Sequence, residues 1–386
     1  MEEILQSMGP IICVVGARPN YMKVAPLIRV LRADSSAPHA MLLHTGQHYD
    51  VAMNDRLFAD LGLEAPEINL EVGSGTHAVQ TAEIMRRFEP VVERTSPSCV
   101  VVVGDVNSTL ACGLVAVKMG IPLVHVEAGL RSFDRTMPEE INRLLTDQIC
   151  DVLYTTERSA AENLRREGIA MSRVHFVGNV MIDSLKASLS HAVASRAVFA
   201  GNGIDPALFG ETGRFGLVTL HRPANVDSRE DLGDALAILS EVSAELPLVW
   251  PLHPRTRANI ERFGLSRLLG RRIASLPPQG YLETLGLLRD AAVVITDSGG
   301  IQEETTALGV ACLTMRENTE RPVTVEEGTN TVVGRNRSLI LRGVADILAG
   351  RGKRGRIPEL WDGRASERIA SHLVQWLARR TEPALA

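Results

Sequence analysis

Residues 291–308 read AAVVITDSGGIQEETTAL and hold the pattern that decides the fold. A short apolar run at 291–296 leads through a Ser-Gly-Gly turn into a stretch with helical periodicity. A strand that is apolar on both faces is typical of a parallel sheet covered by helices on both sides. The stretch therefore predicts a strand–turn–helix unit of an α/β protein.

The same unit recurs along the chain. Further strands are predicted from the apolar runs at 11–15, 40–44, 99–103, 122–126, 151–155, 214–220, 246–252 and 310–315. Segments of helical period lie at 22–33, 77–94, 107–119, 139–150, 228–245, 281–290 and 299–308. The pattern predicts an α/β fold of two Rossmann-like, doubly wound parallel-sheet domains facing a central cleft, with function in the loops after strands.

The length of 386 residues also favours two domains, because one hydrophobic core rarely extends so far. Residues 186–213 lose the strand rhythm and become Ala/Ser-rich and then Gly-rich, which predicts a linker. The predicted domains are therefore 1–185 and 214–365. A final helix at 366–386 carries Ile369, Leu373 and Trp376 on one face, so we expect that face to be buried.

Composition excludes several classes of protein. The net charge of −5 and the aromatic content of 4% disfavour nucleic-acid binding. No apolar run reaches the ~18 residues of a membrane span, and the N-terminus lacks a signal-peptide layout. The five cysteines lie singly in apolar runs, which predicts buried, reduced thiols and a cytoplasmic protein: Cys13, Cys99, Cys112, Cys150 and Cys312.

Basic residues follow the first predicted strand. Pro19 suits a helix start, so Arg18 and Lys23 would lie near a helix N-terminus, where anions are favoured. The alternative is a solvated basic helix start. The turn lacks G-x-G-x-x-G and the chain lacks a Walker A sequence, which disfavours a redox dinucleotide and a nucleotide triphosphatase.

Acidic residues follow the next strands of the first half. Asp105 and Glu127 end neighbouring predicted strands, and Glu139 and Glu140 open a helix. An Asp in such a place is often a helix cap, and acids in a first turn often only stabilise the helix dipole. Clustered carboxylates raise one another's pKa, however, which suits general acid–base chemistry near neutral pH.

The second half carries a histidine and a glycine-rich turn at strand ends. His221, beside Arg222, would balance charge or protonate a leaving group, and a purely structural role is equally compatible with its position. His253 also follows a predicted strand, but the sequence around it supports a functional role less strongly.

A glycine-rich turn follows another strand of the second half. A phosphate could approach the backbone N–H groups at this helix start, which is formed by Ser298, Gly299 and Gly300, and Glu304 is placed to bind a ribose diol. Arg321 follows the next strand and would contact phosphate or sugar. The ten histidines and the cysteines show no metal-ligand spacing.

Taken together, these motifs resemble the non-hydrolysing UDP-N-acetylglucosamine 2-epimerases of bacteria and archaea. The similarity runs from about residue 11 to 350, with the motifs in the same order. The matching segments are GARPNYMKVAP (16–26), GQHYD (46–50), GDVNSTLA (104–111), HVEAGLRS (125–132), PEEINR (138–143), GNVMIDSL (178–185), LHRPANV (220–226), DSGGIQEE (297–304) and ERPVTVEEGTN (320–330). The resemblance implies a GT-B-like fold, a homodimer, a UDP-sugar substrate bound mainly by the C-terminal domain, a final helix that returns to the N-terminal domain, and no cofactor.

The resemblance also implies residue roles and a reaction. Elimination of UDP would give a 2-acetamidoglucal, and re-addition would place the C2 proton on the opposite face. Asp105, Glu127, Glu139 and His221 would be catalytic, while Arg18, Ser298, Gly299 and Gly300 would hold the diphosphate and Glu304 the ribose. Lys23 and Arg321 would contact phosphate or sugar. Gln47, His48 and Arg222 match parts of a second, activating site found in many members.

Alternatives remain at this stage. The first loop reads Arg-Pro-Asn where the family commonly has Arg-Pro-Glu, Ala224 replaces an acidic residue, and the basic stretch near 70–77 is missing. These departures leave open a hydrolysing epimerase that releases UDP and N-acetylmannosamine. A GT-B glycosyltransferase and a non-catalytic UDP-sugar sensor are further alternatives, and neither explains three carboxylates after successive strands.

Overall fold

The computed structural model describes residues 7–46 and 58–381 of the chain. It divides into two compact units. Unit 1 comprises Met1–Ala187 and Glu359–Ala386, and unit 2 comprises Ser188–Pro358.

Within the described residues, unit 1 is built on a seven-stranded sheet of order β3-β2-β1-β4-β5-β6-β7, in which every pairing is parallel. Its strands are β1 (Ile11–Val15), β2 (Ala40–His44), β3 (Ile68–Asn69), β4 (Cys99–Val103), β5 (Leu123–Ala128), β6 (Val152–Thr155) and β7 (Val174–Phe176). The α-helices are Arg18–Ala33, His77–Thr95, Asn107–Lys118, Pro138–Ile149, Arg158–Arg166, Val180–Ser188 and Ala365–Thr381.

Unit 2 repeats the scheme with a six-stranded parallel sheet of order β10-β9-β8-β11-β12-β13. Its strands are β8 (Gly216–Thr219), β9 (Leu248–Pro251), β10 (Ile273–Leu276), β11 (Val293–Thr296), β12 (Cys312–Thr314) and β13 (Asn330–Val332). Its α-helices are Ser195–Gly201, Pro223–Val226, Arg229–Glu245, Pro254–Arg262, Tyr281–Asp290, Gly299–Leu308, Pro322–Glu326 and Arg337–Leu348.

The strand order places the candidate sites. In unit 1 the order reverses between β1 and β4, and in unit 2 it reverses between β8 and β11. Loops leave the carboxyl ends of such strands in opposite directions and open a crevice where ligands bind. The segments after these four strands carry part of the predicted site, including Arg18, Asp105, His221 and Ser298.

The prediction of two doubly wound α/β sheets is confirmed. Strands β1, β2 and β4 have the predicted bounds, because each is an unbroken apolar run that is almost wholly buried. Sequence reasoning missed β3, β7, β10 and β13, which are two to four residues long and lie at or next to sheet edges. The first helix begins four residues earlier than predicted, since Asn20 accepts hydrogen bonds from the N–H groups of Gly16 and Ala17.

The segment predicted as a linker contributes to the core of unit 2 after residue 188. Phe199 on the helix Ser195–Gly201 stacks on Phe209, with ring centroids 4.5 Å apart, and both rings contact Phe215 beside β8. The final helix belongs to unit 1, and its Ile369 and Leu373 are wholly buried as predicted, while Trp376 is half-buried. Tyr154 of β6 and His372 of this helix share a hydrogen bond of 2.8 Å.

All five cysteines are buried and unpaired, as predicted. Burial raises the pKa of the Cys13 thiol to about 12 and that of Cys312 to about 11. In the described part of the chain, no helix combines the length and the hydropathy that crossing a bilayer requires.

Candidate active site

Gly104 opens the loop after β4, next to the predicted catalytic Asp105. Its φ of +65° favours glycine, and its N–H donates to Val126 on β5. A Cβ atom at this position would lie 3.0 Å from Lys23 Nζ and 3.2 Å from Glu127 Oε2. The turn after β4 therefore lies against Lys23 of the helix that follows β1 and against Glu127 near the carboxyl end of β5.

Asp105 is held from two directions by the helix Pro138–Ile149. Arg143 donates to its Oδ2 from Nη2 at 2.5 Å and from Nε at 3.1 Å, while Asn142 donates to its backbone carbonyl at 2.9 Å. About a quarter of the Asp105 side chain, 26%, stays exposed. The carboxylate is fixed in orientation and still reachable by a substrate.

Glu127 combines a strained backbone with a buried charge. It lies at a register shift in the pairing of β5 with β6, and its φ of +72° is costly for a residue with a Cβ. Its carboxylate forms an ion pair with Lys23, and each residue is only 5% exposed. Strain of this kind is common at functional sites, because the surrounding structure must maintain it.

The two adjacent acids of the motif PEEINR occupy different environments. Glu140 is buried, accepts hydrogen bonds from the N–H groups of Ser132 and Phe133 at 3.0 and 2.9 Å, and pairs with Arg143. Glu139 is exposed on the first turn of the same helix. Glu140 therefore holds the loop after β5 in place. Glu139 makes none of these contacts with the loop and is the solvent-exposed member of the pair.

A buried charge network behind this edge was missed by sequence reasoning. His125 of β5 contacts Asp147 Oδ1 with Nδ1 at 2.6 Å and the Gly104 carbonyl with Nε2 at 2.8 Å, so both ring nitrogens face oxygen acceptors. Arg131 Nη2 lies 2.7 Å from Asp147 Oδ2. Burial raises the pKa of Asp147, but the charges of His125 and Arg131 outweigh it and hold that pKa below its usual range. The network anchors Gly104 and hence the Asp105 loop.

In unit 2, His221 follows β8 and is tied to a buried carboxylate that follows β11. Asp297 is 0% exposed and accepts hydrogen bonds from the N–H groups of His221 and Arg222. His221 Nδ1 lies 3.1 Å from Asp297 Oδ1, while the imidazole is 42% exposed. Burial raises the pKa of Asp297, but its contacts with His221 and Asn225 lower it below the usual range.

The helix Gly299–Leu308 begins beside a cluster of arginines, with Ser298 as its N-cap residue. A Cβ on Gly299 would come within 2.6 Å of Arg321 Nη1 and 2.8 Å of Glu320 Oε1, so a larger residue would displace the ends of these two side chains. Glu320 pairs with Arg321 and Arg316, and Arg222 lies 3.7 Å away. Burial raises the pKa of Glu320, but these guanidinium groups hold it well below its usual range. Three arginines beside a helix N-terminus outnumber the two carboxylates that they contact, Glu320 and Glu303, and this arrangement suits an anion.

Glu304 lies one turn into that helix and is 3% exposed. Burial raises its pKa to about 8, with a lowering contribution from a hydrogen bond with Tyr281 and a raising one from Glu303. The side chain is therefore largely protonated at neutral pH in the ligand-free protein.

A Glu304→Gln variant is expected to be more stable than the parent protein at pH 8. Because the folded pKa of about 8 exceeds the ordinary 4.5, the parent loses stability between those values by about 1.4 kcal/mol per pH unit. The variant lacks this loss, so its advantage should shrink as the pH falls and vanish below 4.5. Thermal denaturation at pH 5, 6.5 and 8 measures it, with exposed Glu326→Gln as control. A stability difference that is the same at every pH would contradict the expectation.

The remaining predicted residues have simpler surroundings. His253 is exposed, accepts the Arg255 N–H at 3.2 Å as a helix cap, and has its ring centroid 5.7 Å from that of His221. Arg18 begins the helix Arg18–Ala33. Gln47 and His48 lie outside the described residues. Across residues 7–46 and 58–381, no three His, Cys, Asp or Glu side chains are grouped to hold a metal ion.

Two Rossmann-like parallel sheets, each with predicted site residues after its strands, define a GT-B-like α/β fold. The sequence model of the family described as UDP-N-acetylglucosamine 2-epimerase matches residues 31–374. A UDP-N-acetylglucosamine 2-epimerase of Methanocaldococcus jannaschii is 40% identical over 94% of this chain and 98% of its own length. A Pseudomonas aeruginosa UDP-2,3-diacetamido-2,3-dideoxy-D-glucuronate 2-epimerase is 37% identical over 95% of this chain and 99% of its own length.

The fold agrees with a solved structure of the same family. The M. jannaschii UDP-GlcNAc 2-epimerase in complex with UDP-GlcNAc and UDP superposes with a TM-score of 0.86 at 39% identity, covering 95% of this chain and 99% of that one. The chain belongs to the UDP-N-acetylglucosamine 2-epimerase family and is an isomerase.

Proposed function

We propose that the chain interconverts UDP-GlcNAc and UDP-ManNAc without hydrolysis, through elimination and re-addition of UDP. The observation that carries this proposal is the gathering of Asp105, Glu127 and Lys23 around Gly104 at one carboxyl edge, in a chain of the epimerase family. Two carboxylates held at one carboxyl edge match a reaction that removes a proton and returns one to the opposite face.

Unit 1 supplies the proton carriers. The C2 hydrogen of the sugar has no neighbouring carbonyl, so removing it requires that the C1–O bond break and that UDP depart with the electron pair. A carboxylate takes the C2 proton, the 2-acetamidoglucal forms, and a second acid delivers a proton to the other face as UDP adds back. We assign these tasks to Asp105, Glu127 and Glu139; Lys23 compensates the charge of Glu127.

Unit 2 binds the UDP part in this proposal. The Ser298 side chain and the N–H groups of Gly299 and Gly300, together with Arg321, hold the diphosphate, and Glu304 receives the ribose. Negative charge that develops on the leaving diphosphate is stabilised by donors that are already in place. His221 either protonates the leaving diphosphate or compensates its negative charge. Arg316 and Glu320, which the sequence did not single out, set the charge at this edge.

Incubation with UDP-GlcNAc in D₂O, followed by NMR of the C2 and anomeric protons, tests the proposal. The expected result is deuterium at C2 and a mixture of UDP-GlcNAc and UDP-ManNAc. Free N-acetylmannosamine with stoichiometric UDP would replace the reversible reaction by the hydrolysing one. Transfer of the sugar to an added acceptor would support a glycosyltransferase instead.

A second substrate has specific support. The P. aeruginosa relative with 37% identity is named for a diacetamido sugar that bears a carboxylate. The same NMR experiment with UDP-2,3-diacetamido-2,3-dideoxy-D-glucuronate compares the two substrates. Turnover of this compound alone would move the assignment to the carboxylated sugar.

We also propose that the chain is a cytoplasmic homodimer. The five buried, unpaired thiols support a reducing compartment. The dimer rests on the resemblance to the family, and light scattering coupled to size-exclusion chromatography tests it.

A further inference from the structure

Asp297 is a buried carboxylate that the proposed reaction does not use. It follows β11 at the point where the sheet order of unit 2 reverses, and its N–H donates to Thr219 of β8 at 3.2 Å. The side chain is 0% exposed. An ionised group so deep in a protein requires several donors, and their identity indicates its task.

The donors around Asp297 come from the loop that bears His221. The backbone N–H of His221 lies 3.2 Å from Oδ1 and that of Arg222 lies 2.9 Å from Oδ2. Asn225 donates to Oδ2 at 3.0 Å and also to the Met315 carbonyl, which fastens the same loop to the end of β12. These contacts fix the position of the backbone of His221 as well as its ring.

The remaining contact selects the protonation pattern of the imidazole. His221 Nδ1 lies 3.1 Å from Asp297 Oδ1, and an ionised carboxylate only accepts hydrogen bonds, so Nδ1 carries a proton. A neutral His221 then has its lone pair on Nε2, and a charged one has a second proton there. Proton gain and loss occur at Nε2.

We propose that Asp297 is a positioning residue that holds His221 as the Nδ1–H tautomer, so that Nε2 exchanges the proton with the leaving diphosphate. The proposal rests on the role given to His221 in the epimerisation. When the C1–O bond breaks, its electron pair goes to the β-phosphate oxygen, and the proton of Nε2–H moves to that oxygen and leaves a neutral ring. Re-addition of UDP returns the proton to Nε2. Two charged or titratable residues lie beside His221. Arg222 is its neighbour in the chain, and the ring centroid of His253 lies 5.7 Å from that of His221.

The first test is the tautomer itself, in the wild-type protein. Two-bond ¹⁵N–¹H spectra of histidine-labelled protein, with the His221 signals assigned through a His221→Gln variant, report which nitrogen is protonated. We expect the Nδ1–H pattern for the neutral ring. The Nε2–H pattern, which free histidine prefers in water, would overturn the proposal without any mutant.

The second test is Asp297→Asn. The amide still offers one acceptor to the loop but also presents an N–H₂ group, so we expect the tautomer to reverse and kcat to fall by about 10²–10⁴-fold, as happens when a triad carboxylate becomes an amide. The Kd for UDP should change by less than about threefold.

Asp290→Asn, at the end of the helix Tyr281–Asp290, is the matched control and should keep the parent kcat. Unchanged kcat in Asp297→Asn beside inactive His221→Gln overturns the positioning role alone. Unchanged kcat in both overturns the catalytic role of His221.

Discussion

Asp105→Asn is expected to lower the turnover of UDP-GlcNAc by about 10²–10⁴-fold, the contribution of a positioned general acid or base. The amide preserves the size of the side chain and one acceptor for Arg143, which donates to Oδ2 at 2.5 Å in the parent. It cannot take up a proton. Exchange of the C2 hydrogen in D₂O measures the loss directly, and calorimetric titration with UDP should show a Kd close to that of the parent, because UDP contacts are assigned to unit 2.

Asp151→Asn provides the control for this prediction. Asp151 precedes β6, at the amino edge of the same sheet, and its Oδ2 accepts the Leu123 N–H at 2.8 Å. The substitution is chemically identical and lies at the edge away from the strand carboxyl ends, so turnover should persist. If Asp105→Asn retained the parent rate, the assignment of the catalytic carboxylates would be wrong.

Asp147→Asn is expected to have the largest effect on stability. The carboxylate is 0% exposed and pairs with His125 and Arg131, of which Arg131 also pairs with Glu167. Removing one partner of a buried ion pair costs about 3–5 kcal/mol, because the other charge is left uncompensated. Hydrogen exchange read by mass spectrometry should show lost protection in β5 and the helix Pro138–Ile149 and unchanged protection in unit 2.

The pH dependence of this stabilisation has a defined sign. Because the folded pKa of Asp147 lies below its ordinary value of 3.8, its contribution is complete above 3.8 and is lost as the pH falls through the folded pKa. Asp346→Asn serves as control, since its ion pair with Arg351 is more than half exposed and contributes about 0–1 kcal/mol. Equal stability of the two variants would show that the buried network is dispensable.

The fold could be read from the sequence because its central strands are long apolar runs. Strand β4 is buried at all five positions, and its sequence CVVVV has no competing interpretation. Strand β3 has two residues, Ile68 and Asn69, one of them exposed, so neither length nor periodicity marks it. Its place follows from pairing with β2, which is a property of the assembled sheet.

The site could be read in part for a related reason. Asp105 and Glu127 could be singled out because each follows a predicted strand, which is a local feature of the sequence. Arg143 and Asp105 are 38 residues apart, and Asn225 and Asp297 are 72 apart, so no spacing rule connects them. Residue type and position did not distinguish Glu139 from Glu140, and only the family resemblance pointed to Glu139. The fold shows that Glu140 is the one that binds the Ser132 N–H.

The buried thiols give each half of the molecule its own reporter. Cys13, Cys99, Cys112 and Cys150 belong to unit 1, and Cys312 belongs to unit 2. A thiol whose pKa is raised and which water does not reach reacts with an alkylating reagent only after its surroundings open. The rate at which each cysteine is modified under native conditions therefore measures how often its unit unfolds. A single labelling experiment reports this rate for both units.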